Sequence, residues 1–316
     1  MISWAFVRAL IPLLLGRLLD QPNARSSHLH PTPRGGGIGF VCISLVVSSF
    51  SLFSSPVAIA VLLPLIAAPL AIVGLVDDRY SLPASWRYGV QLAVAALLLL
   101  FSPLVYRFLD LSAGLFWYYI PVILLLLISV TAVINFTNFM DGLDGLVAGS
   151  FAVAVATVLI QLSAPLPLWA LVGSLLGFLV WNWSPAKVFM GDVGSTFLGA
   201  VFAGFVLQSS SWHEAFGLLL ICTPIFGDAF SCVLRRLRDG QPVFQAHRLH
   251  LFQRLHQAGW SHSRVSLSYI LATSVLAVAM LAGGWPWVLS LAVAELLLGV
   301  WLDQRVAVPF ALASKN

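Results

Sequence analysis

Asn135-Phe-Thr-Asn-Phe-Met-Asp-Gly-Leu-Asp-Gly145 separates two long apolar runs, Ile120–Ile134 and Leu146–Leu162. Polar side chains recur at every third position of this stretch: Asn135, Asn138, Asp141 and Asp144. Because residues three apart share one face of a helix, successive members of this series can meet. Carboxylates and amides at the mouth of a membrane segment are costly to keep there, which favours a functional site over a loop that only caps two helices.

The composition of the whole chain is that of a membrane protein. Its 316 residues are 60% hydrophobic and 9% charged, and the mean hydropathy of +0.97 excludes a soluble domain of this length. Lipid tolerates no unpaired backbone groups, so the fold class predicted is an all-α polytopic membrane protein forming a single domain over residues 1–316. The net charge of +4 is small and spread over loops, which argues against nucleic acid as a partner.

Two smaller features fit this class. The three cysteines, Cys42, Cys222 and Cys232, fall inside predicted spans and lack zinc-type spacing. They are therefore interpreted as small apolar residues that pack within the spans. The first segment, Ile2–Leu19, contains Arg8 and Arg17 and has no small-residue cleavage site. It is therefore expected to be a retained helix rather than a signal peptide.

Hydropathy predicts about eleven transmembrane helices, with ten as the alternative count. Their approximate ranges are 2–19, 36–54, 57–76, 87–102, 114–134, 146–162, 166–182, 195–210, 215–234, 265–282 and 285–302. The joints near 55 and at 163–166, 211–214 and 283–285 are short and nearly uncharged. The joints at 20–35, 77–86, 135–145, 183–194 and 235–264 are longer and polar, and they contain the distinctive residues.

Basic residues predict the orientation. Of the 16 Lys and Arg residues, only Arg8 and Arg107 lie away from the polar side. The other fourteen lie in or beside the polar joints and the C-terminal tail: Arg17, Arg25, Arg34, Arg79, Arg87, Lys187, Arg235, Arg236, Arg238, Arg248, Arg254, Arg264, Arg305 and Lys315. The positive-inside rule then places these joints and the C-terminus in the cytoplasm, with the N-terminus periplasmic.

The first two polar joints offer phosphate-binding and acidic groups. Pro31-Thr-Pro-Arg34-Gly-Gly-Gly37 places Arg34 beside a glycine-rich helix start, which fits either a phosphate cradle or an ordinary basic membrane-surface loop. Asp77 and Asp78 follow the run Leu62–Val76 directly. Adjacent acids at the end of a span are costly, so they are candidates to hold Mg²⁺, orient a nucleophile or act as a base. The alternative is that they mark the water interface and pair with Arg79 or Arg87.

The last two polar joints add a second acidic site and a basic segment. Val188-Phe-Met-Gly-Asp192-Val-Gly194-Ser195 sets Asp192 between glycines at a helix start, which suits a hard cation and an anionic substrate. Phe189 is a candidate to stack on a base, or else a lipid-facing aromatic. In Ala246-His-Arg-Leu-His250, the side chains of His247, Arg248 and His250 are candidates to bind a diphosphate.

The residues after that segment leave an alternative open. Leu249, Phe252 and Leu255 fall on one helical face, so a basic amphipathic helix lying on anionic lipid is also consistent with the pattern. His213 and His262 receive no role.

Together these joints resemble the polyprenyl-phosphate N-acetylhexosamine-1-phosphate transferases, glycosyltransferase family 4 type membrane enzymes that start bacterial cell-envelope glycans. The matching pieces are PTPRGGG, the Asp77–Asp78 pair, NFTNFMDGLDGL, VFMGDVGS and the HRLH segment, in that order. The resemblance implies transfer of a sugar 1-phosphate from a UDP-N-acetylhexosamine to undecaprenyl phosphate with release of UMP. It also implies the bacterial inner membrane, membrane lipid contacts, Mg²⁺ as cofactor (Mn²⁺ as the alternative metal) and a homodimer as one assembly to test.

Site roles follow from the same resemblance. Asp192 corresponds to the Mg²⁺ ligand, and Asp77 and Asp78 to the catalytic acidic pair, with Asp77 as a second candidate metal ligand. The nucleotide-sugar contacts correspond to Asn138, Asp141 and Asp144, with Phe189 beside the uracil. His247 and His250 correspond to the family's histidine motif.

Two departures from the family pattern bear on the branch. Arg248 and Leu249 separate two histidines that are consecutive in the muramoyl-pentapeptide branch of peptidoglycan synthesis. The family's basic residue shortly after the acidic pair is replaced by Ser81, Leu82 and Pro83. Both favour the branch that begins O-antigen or related surface polysaccharides. A secondary transporter is the competing class, but it would need polar residues in mid-span, whereas these cluster at span ends.

Overall fold

The computed structural model describes residues 2–22, 30–53, 58–108, 116–242 and 247–314, with the side chains of 116–118 left aside. Arg25, His28, Ala246 and Lys315 lie outside these ranges. Nearly all regular structure is helical, which confirms the all-α class. The helices are α1 (Ile2–Leu15), α2 (Ile38–Ser51), α3 (Leu63–Tyr80), α4 (Ala84–Leu100), α5 (Pro103–Phe108), α6 (Phe116–Phe139), α7 (Leu146–Gln161), α8 (Trp169–Asn182), α9 (Asp192–Val206), α10 (Trp212–Leu220), α11 (Thr223–Arg238), α12 (Leu251–Gln257), α13 (His262–Gly283), α14 (Trp285–Arg305) and α15 (Phe310–Ala313).

One short antiparallel pairing accompanies the helices. Strand β1 (Leu19–Asp20) pairs with β2 (Thr32–Pro33), with Leu19 opposite Pro33. This pairing closes the first polar joint and leads the chain directly into the glycines before α2.

Helix α9 forms the centre of the bundle. Every residue from Val193 to Val206 is buried, as expected for a helix that is apolar on all sides. It packs against α3, α6 and α7, and the rings of Phe197, Phe202 and Phe205 are fully buried. The N-terminus of this central helix is Asp192, so the core of the fold carries one of the candidate acids to its polar end.

The eleven predicted spans all correspond to apolar helices. Four of these helices are long and apolar enough to cross a membrane, and the bent pair α10–α11 gives a fifth if it counts as one span. Six shorter apolar helices account for the rest. At a rise of about 1.5 Å per residue, a helix of 14 to 17 residues is somewhat shorter than the ~30 Å hydrocarbon layer. The chain is a multi-pass membrane protein.

One span differs in shape from the sequence expectation. Residues 215–234 were expected to form one continuous helix, but α10 and α11 meet at an angle of 81°. The break falls at Ile221 and Cys222, and Pro224 occupies the first turn of α11. Because proline lacks an N–H and fixes φ near the helical value, Pro224 suits the first turn of the new helix that begins after the bend.

Two helices extend further than expected, and this changes the setting of the polar residues. Helix α3 runs to Tyr80, so Asp77 and Asp78 lie in its last turn rather than after it. Helix α6 runs to Phe139 and includes Asn135 and Asn138. Asp141 and Asp144 belong to the turn that follows. The expectation that successive members of this series can meet on a helical face therefore applies only as far as Asn138, because the helix ends at Phe139.

The amphipathic segment after the HRLH motif packs inward. Leu249, Phe252 and Leu255 are 5%, 0% and 1% exposed, respectively. Their apolar face is thus covered by protein, which excludes the alternative of a helix lying with this face on the lipid surface.

The five polar joints meet at one end of the bundle. Backbone hydrogen bonds join the first joint to the fourth (Gly36 N–H to the Phe189 carbonyl, 2.8 Å), and side chains join the second, third and fourth. The segment from His247 lies across the same opening. This shared end is consistent with all five joints facing one side of the membrane.

Cysteine labelling tests which side that is. We expect cysteines placed singly at Arg34, Arg79, Lys187 and Arg238, in a chain lacking Cys42, Cys222 and Cys232, to resist an impermeant thiol reagent in intact cells. A cysteine at Leu166, which is 83% exposed in an uncharged joint, should react and serves as the positive control. Labelling at two or more of the four positions would contradict the orientation predicted from the basic residues.

Candidate active site

A cleft of about 330 Å³ opens at the polar end of the bundle. Its polar wall includes Asp77, Arg87, Asn138, Asp192 and the two histidines of the HRLH segment, His247 and His250. Its apolar wall is formed by Leu70, Val73, Gly74 and Ala84, from α3 and the start of α4. A cleft with one charged and one apolar wall at a membrane surface suits a substrate that has both a charged group and a hydrocarbon part.

Asp192 is positioned by the third polar joint. The Asn138 amide on α6 donates hydrogen bonds of 2.9 Å to Asp192 Oδ1 and to the Ser195 hydroxyl. Because α6 and α9 are both held in the core, these bonds fix the orientation of the Asp192 carboxylate. Its other oxygen, Oδ2, lies 4.0 Å from the guanidinium of Arg87.

Asp78 holds the backbone at the start of α9. Its two carboxylate oxygens accept hydrogen bonds from the backbone N–H groups of Asp192 (3.1 Å) and Val193 (3.3 Å). A negative charge at a helix N-terminus is stabilised by the helix dipole and satisfies free N–H donors. Asp78 therefore joins the end of α3 to the start of α9.

Asp77 has a different environment. One of its oxygens accepts the Leu82 N–H (2.6 Å), and the other accepts from Arg87 Nη1 (3.0 Å). The Asp77 and Asp192 carboxyl groups are close enough to share a hydrogen bond. The pairing of Asp77 with Arg87 was one of the alternatives considered from the sequence, and it occurs inside the cleft rather than at a water interface.

Asp141 adds another acid to this group. Burial first, and then the negative charges of Asp192 and Asp78, raise the pKa of Asp141 to about 8. Several crowded carboxylates without enough local positive charge repel one another, and a bound cation would relieve that repulsion. Asp141 and Asp78 are not among the residues that line the cleft, but such a perturbed acidic cluster beside a cleft is typical of a functional site.

Asp144 does not reach the cleft. Its carboxylate accepts from the Ala186 N–H (3.1 Å) and lies 3.2 Å from Nδ1 of His262, the residue that begins α13. Burial alone would raise the pKa of Asp144, but its hydrogen bond with His262 and the charge of that ring outweigh this and lower the pKa. In this structure Asp144 ties the fourth joint to α13, and it gives the previously unassigned His262 a structural partner.

The glycines of the first joint serve packing. The Gly36 and Gly37 N–H groups donate to the carbonyls of Phe189 and Met190, so they are not free to bind a phosphate as the sequence suggested. A Cβ on Gly37 would lie 2.5 Å from the Gly194 Cα. These glycines allow α2 to begin directly against the start of α9.

The remaining predicted contacts lie outside the lining of this cleft. Arg34 forms an ion pair with Asp20 across the β1–β2 pairing. Phe189 lies in the backbone pairing with Pro33 and Gly36. Arg248 accepts a hydrogen bond at its carbonyl from the Gln257 amide. Their roles toward a nucleotide sugar stay predictions.

The structure adds residues that sequence reasoning did not place in the site. Arg87 lies ten residues after Asp77 and one helical turn before Gln91, which exchanges hydrogen bonds with Asn135. The spacing Arg87–Gln91 on one face of α4 was the signal available. Asp228 on α11 accepts from the Leu251 and Phe252 N–H groups (2.7 and 3.0 Å) and from the Tyr269 hydroxyl, so it anchors the HRLH segment.

Comparison with known proteins places this geometry in a family. A family model described as glycosyl transferase family 4 matches residues 39–210, more than half of the chain. The chain belongs to glycosyl transferase family 4. Its matched region includes the Asp77–Asp78 pair, the 135–145 stretch and Asp192, and therefore Asp77, Asn138 and Asp192 of the cleft.

Relatives of this family-4 chain match it over most of its length. It is 30% identical to a probable undecaprenyl-phosphate N-acetylglucosaminyl 1-phosphate transferase of Bacillus subtilis, over 77% of this chain and 71% of the relative. It is 29% identical to a decaprenyl-phosphate N-acetylglucosaminephosphotransferase of Mycobacterium leprae, over 86% and 79%. It is 28% identical to an undecaprenyl-phosphate alpha-N-acetylglucosaminyl 1-phosphate transferase of Escherichia coli K12, over 82% and 75%.

Proposed function

We propose that this chain transfers an N-acetylhexosamine 1-phosphate from a UDP-sugar to undecaprenyl phosphate, releasing UMP and leaving a polyprenyl-diphosphate-linked sugar. The observation that carries the proposal is the cleft itself, in which Asp77, Asp192, Asn138 and Arg87 meet beside an apolar wall. Membership of glycosyl transferase family 4 supports an enzyme, and the names of three relatives support transfer of N-acetylglucosamine 1-phosphate to a polyprenyl phosphate.

The acidic residues fit a hard divalent cation. Mg²⁺ prefers carboxylate oxygens and substrate phosphates, and the carboxyls of Asp192 and Asp77 both line the cleft. The acidic crowding around Asp141, described above, is the observation that favours a cation there. When bound, Mg²⁺ would screen the repulsion between an anionic acceptor and an anionic donor. Mn²⁺ has the same ligand preference.

The chain's own groups indicate how the reacting phosphates are handled. Both oxygens of Asp77 and both oxygens of Asp78 already accept hydrogen bonds, which favours positioning over proton abstraction. The acceptor needs little help from a base, because a phosphate monoester with a second pKa of ~6 is mostly dianionic at neutral pH. Arg87, with 39% of its side chain exposed, is placed to offer positive charge to phosphate oxygens in the cleft.

The proposed sugar donor and biosynthetic pathway rest on the spacing of the two histidines in the HRLH segment. Because His247 and His250 are not consecutive, we favour the branch that begins O-antigen or related surface polysaccharide synthesis in the bacterial inner membrane. The alternative is the phospho-N-acetylmuramoyl-pentapeptide transferase of peptidoglycan synthesis. Turnover of the purified protein against a panel of UDP-N-acetylhexosamines and UDP-muramoyl-pentapeptide, with undecaprenyl phosphate, decides between them.

The alternative function from a different class of membrane protein is that of a secondary transporter. Its substrate site would lie near the middle of the membrane, between broken helices. The bent pair α10–α11 is such a break, yet the acidic residues gather at the end of the bundle. Substrate-dependent release of a nucleotide would favour the enzyme, whereas uptake of a UDP-sugar into vesicles without turnover would favour the transporter.

The leaving group gives the sharpest test of the reaction. Attack at the sugar-linked phosphorus exchanges one phosphoanhydride for another of similar energy, so we expect UMP release and ready reversal. Radiolabelled UMP added with the lipid product should return label to the UDP-sugar pool, and omission of the lipid product is the control. Release of UDP with a monophosphate-linked lipid would contradict this mechanism.

A further inference from the structure

A cysteine and two histidines come together beside the cleft, and the two histidines line it. Potential ligand atoms of Cys232, His247 and His250 all lie within 4.8 Å of one another. Sequence spacing does not indicate this cluster, because the two histidines follow the cysteine by fifteen and eighteen positions. The chain reverses between α11 and α12 and brings the HRLH segment back over the Cys232 thiol.

These three groups suit a different metal from the carboxylates of the cleft. Thiolate and imidazole ligands select zinc and other thiophilic cations, whereas carboxylates and phosphates select Mg²⁺. A tetrahedral zinc site with Zn–S near 2.3 Å and Zn–N near 2.0–2.1 Å has its ligand atoms roughly 3.5 Å apart. Side-chain movements of about 1 Å would therefore close the cluster around an ion.

Asp228 supplies the support that metal-binding histidines commonly have. It lies four residues before Cys232 on α11, and its Oδ1 is 3.6 Å from Nδ1 of the buried His250. A carboxylate behind a histidine fixes the ring and leaves the other nitrogen for a metal. Asp228 is itself fixed by the Leu251 and Phe252 N–H groups and the Tyr269 hydroxyl.

The guanidinium groups near the cluster have other partners. Arg235 and Arg254 both pair with Asp303, and Arg236 donates to the Pro242 carbonyl. These contacts direct the guanidinium groups toward Asp303 and Pro242, and the Asp228 carboxylate places a negative charge beside His250.

We propose that Cys232, His247 and His250 bind a thiophilic divalent cation, with Zn²⁺ as the natural occupant, at a site separate from the carboxylate cluster. Three protein ligands leave a fourth coordination position open. Because His247 and His250 line the cleft, that position faces the space where substrate is proposed to bind. Occupancy of the site therefore inhibits turnover.

Metal binding can be tested without any assay of activity. The purified full chain in detergent is titrated with Co²⁺ in the presence of excess Mg²⁺, and thiolate-to-cobalt charge-transfer absorption is recorded. We expect one equivalent of Co²⁺ with this absorption, displaced by Zn²⁺. The absorption should persist in the Cys42→Ala/Cys222→Ala chain, which retains Cys232 as its one cysteine, and it should be lost in Cys232→Ser. Its absence from the wild-type chain, or its loss in the double variant, would overturn the proposal.

Inhibition by Zn²⁺ is measured in a separate experiment. A negative result there would contradict the metal site without contradicting the proposed transferase reaction. Zn²⁺ at micromolar concentration should inhibit wild type and the Cys222→Ala control alike, be reversed by a chelator, and persist when Mg²⁺ is raised. In Cys232→Ser, the Zn²⁺ concentration for half-inhibition should rise at least tenfold. Equal sensitivity of Cys232→Ser and wild type would show that these three residues do not form the inhibitory site.

Discussion

Replacing Asp192 by asparagine is expected to lower turnover by more than about 100-fold, beyond the 10- to 100-fold loss typical of groups that only support metal ligands. Asparagine keeps the shape and an acceptor oxygen at Oδ1, where Asn138 donates, but it removes the negative charge that a hard cation needs. The measurement is kcat at a fixed Mg²⁺ concentration, followed by a Mg²⁺ titration.

Loss of activity in this variant should not come from unfolding. Asp192 lies among like charges, and removing one of several crowded carboxylates relieves repulsion. The thermal unfolding midpoint of Asp192→Asn should therefore equal or exceed that of wild type. Asp239→Asn, the same change at an exposed position ending α11, should leave kcat unaltered. Near-normal kcat in Asp192→Asn at ordinary Mg²⁺ concentration would refute the role of Asp192 as a ligand.

Gly74→Ala is expected to disrupt the site through packing alone. A Cβ on Gly74 would lie 2.5 Å from the carbonyl carbon and oxygen of Asp192, a distance that real Cβ atoms essentially never show. These are backbone atoms of the central helix, so no rotamer change can relieve the clash. Helices α3 and α9 must move apart, at a typical cost of about 1–3 kcal/mol for overpacking.

The consequence for activity follows from where Gly74 lies. It precedes Asp77 and Asp78 by about one turn of α3, so the movement separates them from Asp192. A displacement of about 1 Å at a reacting site can cost about 100-fold in rate, and we expect a loss of that size in kcat together with a lower unfolding midpoint.

Gly89→Ala is the matched control for that variant. It lies on α4, where an added Cβ meets nothing within 4 Å. Alanine is favoured over glycine in a helix by about 1 kcal/mol, so this variant should be as active and at least as stable as wild type. Wild-type kcat and stability in Gly74→Ala would show that the contact between α3 and α9 does not position the acids.

The sequence by itself determined the membrane class, the existence of the spans and the identity of most acids in the site. This is possible because the cost of placing charge or unpaired backbone in lipid is set by composition alone. Asp77, Asp192 and Asn138 stood out as polar groups at the ends of apolar runs, and all three line the cleft.

Only the tertiary structure decided which residues of the different joints and helices contact one another. The helix of Asn138 ends before Asp141, so Asp144 faces Ala186 and His262 instead of the cleft. Arg87 enters the site because α4 returns beside α3, and Cys232 meets His247 and His250 because α11 and α12 fold together. Such contacts depend on packing between segments distant in the chain, and local hydropathy and periodicity carry no information about which of those segments pair.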